Sequence, residues 1–321
     1  MFKRKRAAIT LSLIMALTIV GTACGSSQSA SVDGKVNVVT TIYPLYYFAE
    51  QIGGEQAHVT NLIAAGVEPH DWTPKSRDLT NASNAQLFIY NGAGLESWLN
   101  DFMPAIESGG DVRTVEASAG IALLDGEGEE EGHDHGEEAE GHSHEHDSDI
   151  DPHTWVSPRS ALTMAANIKD AYIAVDPAHQ ADYEARYEKL NDRLKQLDAK
   201  FTEGLSPFAG RDIVVSHQAF GYLCRDYGLN QIAIMGLSPE AEPRAQDLLE
   251  ISDYVKSHGI KTIFFEELVS DRLAKTLANE ADIDTMVLNP LEGLTPEQEK
   301  AGDNYFTLME RNLENLQKAL Q

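Results

Sequence analysis

Short apolar runs and longer amphipathic stretches alternate along this 321-residue chain. Residues 36–42 are dense in β-branched side chains and predict a strand, and Pro44 then suits the first turn of a helix reaching about Ile52. Residues 58–63, 86–90 and 113–117 predict further strands, with helices over 76–85 and from about Leu95. After Pro177, apolar residues fall at Tyr183, Tyr187, Leu190, Leu194, Leu197 and Phe201. Steps of four and three draw one stripe along a helix of about seven turns, ended near Gly204. The alternation then restarts, with strands over 212–216, 231–235, 261–267 and 284–288 and helices over 243–256, 271–281 and 302–320. The pattern predicts an α/β fold class: two similar lobes with mostly parallel sheets, joined by one long rigid helix. Ligands of open α/β sheets bind beyond the carboxyl ends of strands. A site is therefore expected in the cleft between the lobes.

Two segments break this order. Lys3, Arg4, Lys5 and Arg6 precede an apolar run over 7–20, and Gly21-Thr22-Ala23 supplies small residues before Cys24. The run has signal-peptide length and is short for a membrane span. The second interruption, 125–150, has five histidines, His133, His135, His142, His144 and His146, and from Asp125 to Asp151 there are thirteen acids and no Lys or Arg. Like charge and scarce apolar residues predict a mobile loop that cannot build a core. The expected layout is a signal peptide over 1–23, a Gly/Ser/Ala-rich flexible tether over 24–34 and a first lobe over 35–176. The linking helix follows over 177–205 and a second lobe over 206–321.

Charge and cysteines narrow the function. A net charge of −26 and a pI near 4.7 argue against a nucleic-acid partner and favour cations. The two cysteines, Cys24 and Cys224, form no disulfide framework. Cys224 is expected as a small buried residue.

The histidines point to a transition metal, because imidazole suits zinc, copper, nickel and iron. His70 lies in a Gly/Pro-framed loop, His153 in a Pro-framed turn, and His217 closes the strand ending Val214-Val215-Ser216. All three occupy loops near strand ends. His58, His179 and His258 lack such loops and read as ordinary surface residues. The His-rich tract, with imidazoles interleaved among acids, is an auxiliary low-affinity metal loop.

The loop 66–72, the segment 151–158, Ser216-His217 with Phe220 and Tyr222, and Leu288-Asn289-Pro290-Leu291-Glu292-Gly293 together resemble the metal-binding solute-binding proteins of ABC transporters. More closely, they look like the zinc-uptake lipoproteins of Gram-positive bacteria, and the resemblance covers essentially the whole mature chain. Thr73 stands where relatives often have Glu. The resemblance implies a metal site of His70 and His153 from the first lobe with His217 and Glu292 from the second. Three imidazoles and a carboxylate make a zinc set, whereas manganese prefers oxygen-rich shells. Asp151 is expected to orient His153 from its flank. The resemblance also implies lipid attachment at Cys24, although Gly21 replaces the usual aliphatic residue three positions earlier.

The implied function is non-enzymatic. The protein captures Zn2+ as a transported ligand outside the cytoplasm, as a monomer anchored by lipid to the outer face of the cytoplasmic membrane. It passes the ion to a membrane permease driven by a cytoplasmic ATPase, since the chain itself has no Gly-x-x-x-x-Gly-Lys phosphate loop. The alternatives are a manganese carrier of the same family, a zinc-dependent hydrolase, and an extracellular zinc buffer or adhesin. Against the hydrolase, a carboxylate fourth ligand closes the shell and no His-Glu-x-x-His motif occurs.

Overall fold

Interior strands of a parallel sheet are covered on both faces and must be apolar, whereas edge strands tolerate polar residues. In the computed structural model, which describes residues 34–126, 150–239 and 243–321, the strands sort by that rule. The first sheet has the order β2-β1-β3-β4, with β1 Val36–Thr40, β2 Ala57–Asn61, β3 Leu87–Tyr90 and β4 Arg113–Glu116. The second has the order β6-β5-β7-β8, with β5 Asp212–Val215, β6 Asn230–Ala233, β7 Thr262–Phe265 and β8 Asp284–Val287. Every pairing is parallel. Central β3 reads LFIY and central β7 TIFF, while edges β4 and β6 read RTVE and NQIA. Each sheet reverses its winding between its two central strands, which opens a crevice at their carboxyl ends.

The helices are α1 Tyr43–Gly53, α2 Ser76–Ser83, α3 Leu99–Gly109, α4 Pro158–Val175, α5 Gln180–Leu205, α6 Gly221–Tyr227, α7 Ala245–Ser257, α8 Arg272–Ala281, α9 Pro296–Ala301 and α10 Tyr305–Leu320. The outer face of the first sheet packs Val39 and Phe88 against Ala82 of α2 and Phe102 and Ile106 of α3. The second sheet packs Val214 and Ile263 against Val255 of α7 and Leu277 of α8. The inner faces share one core. It runs from Val38 and Ile89 through Phe48, Ile168, Leu194 and Phe201 to Val215, Phe264 and Leu316. The long helix α5 supplies the middle of that core, with Tyr183, Leu190, Leu194, Leu197 and Phe201 buried along the stripe the sequence predicts. A wide hinge opening would have to break this shared core, so the linker is a stiff rod rather than a pivot.

Several boundaries differ from the sequence pattern. The helix expected from Leu95 begins at Leu99, because the Glu96 carboxylate turns back to accept the amides of Asn91 and Gly92. The last helix begins at Tyr305 rather than Gly302. Asn304 caps it, accepting from Phe306 N and Thr307 N, and left-handed Gly302 ends α9. Helices α4 and α9 lie where the apolar pattern drew none. The buried face of α4 includes Ala161, Ala165 and Ala171, too small to stand out as a stripe.

Cys224 is buried, and burial raises its thiol pKa, as suits a structural residue. The signal and tether, Cys24 and the tract histidines His133, His135, His142, His144 and His146 lie outside the described residues. At the tract's ends, Asp125 and Ile150 form an antiparallel bridge. No helix among the described residues is long and apolar enough to cross a membrane.

Candidate metal centre

Loops after β2, β5 and β8, together with the turn leading into α4, bring four side chains to one point. His70 lies in the loop after β2, and His153 opens the 3-10 turn Thr154–Val156. His217 follows β5, and Glu292 follows β8. One ligand atom from each lies within 4.8 Å of all the others. His153 Nε2 is 3.1 Å from His70 Nε2 and 3.3 Å from His217 Nε2. Glu292 Oε1 is 3.4, 3.2 and 3.4 Å from the Nε2 atoms of His70, His153 and His217. A tetrahedral ion with ligands at about 2.0–2.1 Å has edges of about 3.3–3.4 Å. Five of the six edges therefore lie near those of a zinc tetrahedron, and the sixth, His70 to His217, is within 4.8 Å. Glu292 Oε1 is buried and makes no hydrogen bond of acceptable geometry with any of the three imidazoles around it. Such an atom needs a counter-charge, since an unpaired buried carboxylate oxygen is costly.

Two histidines are aimed by carboxylates. His153 Nδ1 lies 2.8 Å from Asp151 Oδ1, and His217 Nδ1 lies 2.6 Å from Glu266 Oε1. A carboxylate on Nδ1 keeps a proton there and leaves the Nε2 lone pair facing inward, the usual support of a metal-bound imidazole. Glu266 also accepts from the Ser216 hydroxyl. The segment bearing His153 is stitched to the other lobe. Tyr222 donates its hydroxyl to Asp151 O at 2.7 Å, Trp155 Nε1 donates to Pro290 O at 2.7 Å, and Tyr305 donates to Trp155 O at 2.8 Å. Among the described residues, His70 has no such support. Its side chain is 12% exposed, against 0% for His153 and His217, which makes it the ligand position nearest solvent.

Glu292 is placed by a strained turn. Leu291 holds φ +61 while fully buried, and its amide donates to Asn289 Oδ1. Asn312 accepts from Asn289 N and donates to Asn289 O, fixing the turn from α10. A left-handed leucine costs on the order of 1 kcal/mol or more and persists only where its surroundings over-determine it.

The electrostatics favour positive charge at the centre. Burial opposes charge on His217, but Glu266 and then Glu292 outweigh it and lift the imidazole to about 10. Burial likewise opposes charge on His153, and Asp151 and Glu292 together raise it. His70 moves the other way because burial dominates. Burial also opposes the charge of Glu292, but the three imidazoles hold its carboxyl well below the usual range. Glu68, whose Oε1 accepts the His70 amide at 2.7 Å, is pushed up to about 8 by burial and by the neighbouring Glu292 charge.

The structure thus brings together all four residues expected from the sequence and puts Asp151 on His153 as expected. Sequence reasoning missed Glu266 and Glu68. The only sequence signal for Glu266 was an acid at the carboxyl end of a predicted strand; that this strand, β7, lies beside the one that delivers His217 is visible only in the fold. The other described histidines stay apart. His58 is exposed on β2, His179 pairs with Asp176, and His258 stacks on Tyr254.

A family model described as zinc-uptake complex component A, periplasmic (ZnuA), matches residues 38–319. This chain belongs to the ZnuA family. It is 42% identical over 314 residues to the zinc-binding lipoprotein AdcA of Streptococcus pneumoniae, covering 98% of this chain and 61% of that protein. The chain therefore spans about three fifths of the length of that relative. It is 40% identical to the high-affinity zinc uptake system protein ZnuA of Bacillus subtilis, over 97% of each. The crystal structure of the Zn(II)-bound ZnuA-like domain of Streptococcus pneumoniae AdcA superposes with a TM-score of 0.75 at 38% identity, covering 89% of this chain and 99% of that one.

Proposed function

We propose that this ZnuA-family member captures Zn2+ outside the cytoplasm, between His70, His153, His217 and Glu292, and hands it to an ABC importer. The observation that carries the reading is the buried Glu292 Oε1. It makes no hydrogen bond and lies one tetrahedral edge from three imidazole nitrogens. Ligation from loops of both lobes makes the ion itself a bridge between them. Three nitrogens and one oxygen favour zinc over manganese. The partners in this reading are a membrane permease and its cytoplasmic ATPase, and the protein works as a monomer tethered by lipid on Cys24. It catalyses no reaction, since its four protein ligands leave no open position for a reacting water. In this reading the lobes are 35–176 and 206–321, joined by the segment 177–205, which consists of the 3-10 turn Pro177–His179 and α5. The tract histidines His133, His135, His142, His144 and His146 act as a weak collector.

Chelator competition tests this reading directly. The wild-type chain should take up one tight zinc equivalent, with manganese weaker by orders of magnitude, and His217→Ala should abolish tight uptake. Tight binding that survives His217→Ala but vanishes when residues 126–149 are deleted would move the site to the tract. Equal affinity for manganese would overturn the choice of metal.

A further inference from the structure

Glycine's usual structural use is a backbone conformation that other residues rarely adopt. Gly221 opens α6, yet its φ lies outside the left-handed region. Its backbone conformation is open to any residue, so the missing side chain is what matters. A Cβ there would lie 2.5 Å from Asp151 Oδ2 and 3.3 Å from Leu124 Cδ1. The first distance is below any tolerated contact, and Asp151 is not free to retreat. Its Oδ1 accepts both the His153 amide at 2.9 Å and His153 Nδ1 at 2.8 Å. Asp151 is 1% exposed, and its backbone is held by Tyr222 and by donation of its amide to Leu124 O at 2.9 Å.

We infer that Gly221 is a positioning residue for the metal centre. The space it leaves seats the Asp151 carboxylate where it aims His153, so the second lobe sets the orientation of a histidine carried by the first. The inference rests on the reading of His153 as a zinc ligand. A Cβ at 221 pushes Asp151 off Nδ1 and lets the imidazole turn, weakening zinc binding although residue 221 touches no ligand atom. Loss of an outer carboxylate from a metal-bound histidine lowers affinity about 10–100-fold.

The test is a double-mutant cycle on the full chain, with zinc affinity measured by chelator competition and cobalt(II) as a spectroscopic probe. Gly221→Ala should weaken zinc about 10–100-fold and shift the visible cobalt bands. Adding Gly221→Ala to Asp151→Ala should change neither further, because the clash partner has gone. Affinity and spectrum unchanged in Gly221→Ala, or effects that multiply in the double variant, overturn the inference. If Gly221→Ala alone fails to fold, the double variant decides. A folded double variant with the affinity of Asp151→Ala supports the steric account, and an unfolded one overturns it. His153→Ala separates the two levels. If it leaves tight zinc binding intact, the ligand reading falls. If it abolishes binding while Gly221→Ala changes nothing, only the present inference falls.

Discussion

At the scale of single residues, the centre is three imidazole Nε2 atoms and one carboxylate oxygen forced to face one another, and its chemistry follows from who supports whom. Glu266→Gln keeps the shape of the side chain but loses the carboxylate that fixes His217 Nδ1, and should weaken zinc about 10–100-fold in chelator competition. The pH dependence has a definite sign. His217 is held near 10 in the metal-free site and must give up its Nε2 proton to bind a metal. Below that pH, loading releases a proton, so apparent affinity should rise about tenfold per pH unit for each proton displaced. Calorimetry at pH 7 in buffers of different ionisation enthalpy should register at least about one proton released per zinc. No release would mean that His217 is already neutral or is not a ligand. The three histidines were legible in the sequence because each sits in a Gly- or Pro-framed loop or at a strand end. Glu292 came only through family resemblance, since one acid in a loop carries no local signal. Glu266 was hidden because its role exists only once β7 lies beside β5, a pairing no local pattern encodes.

Among elements, the long helix α5 does the most to define the molecule. Its stripe of Leu190, Leu194, Leu197 and Phe201 was readable because large apolar residues recur at steps of four and three. Neighbouring α4 was harder to read, because small Ala161, Ala165 and Ala171 alternate with Met164, Ile168 and Tyr172 on its buried face and thin the stripe. Leu194 is fully buried within the core shared by both lobes. Leu194→Ala should destabilise the metal-free protein by about 2–5 kcal/mol. Because that core is continuous, denaturant melts read at Trp155 and by far-UV circular dichroism should move together. Separate transitions would show that the lobes fold independently. The carboxyl-end crevices were predictable from strand–helix alternation, whereas the boundary near Leu95 depended on Glu96 turning back to the Asn91 and Gly92 amides, and the one near Gly302 on capping by Asn304.

The whole molecule joins these scales, since the proposed centre draws two side chains from each lobe and the lobes share a core. An ion that binds only the folded form stabilises it by mass action, about 4 kcal/mol at a free concentration a thousand times its Kd. Zinc should therefore raise the melting temperature by many degrees and chelators reverse it, while manganese should do far less at equal concentration. His70 is the least supported and most exposed of the four, so exchange with solvent should begin there. His70→Ala should speed zinc release in stopped-flow chelation more than it perturbs the metal-free fold. The central claim is that one ion occupies the tetrahedral point defined by His70, His153, His217 and Glu292. An anomalous difference map at the zinc edge, from crystals of the zinc-loaded protein, tests it most directly. The account predicts one dominant peak about 2.0–2.2 Å from the three Nε2 atoms and Glu292 Oε1. Zinc bound tightly in solution, with its peak elsewhere and none at that point, would contradict it.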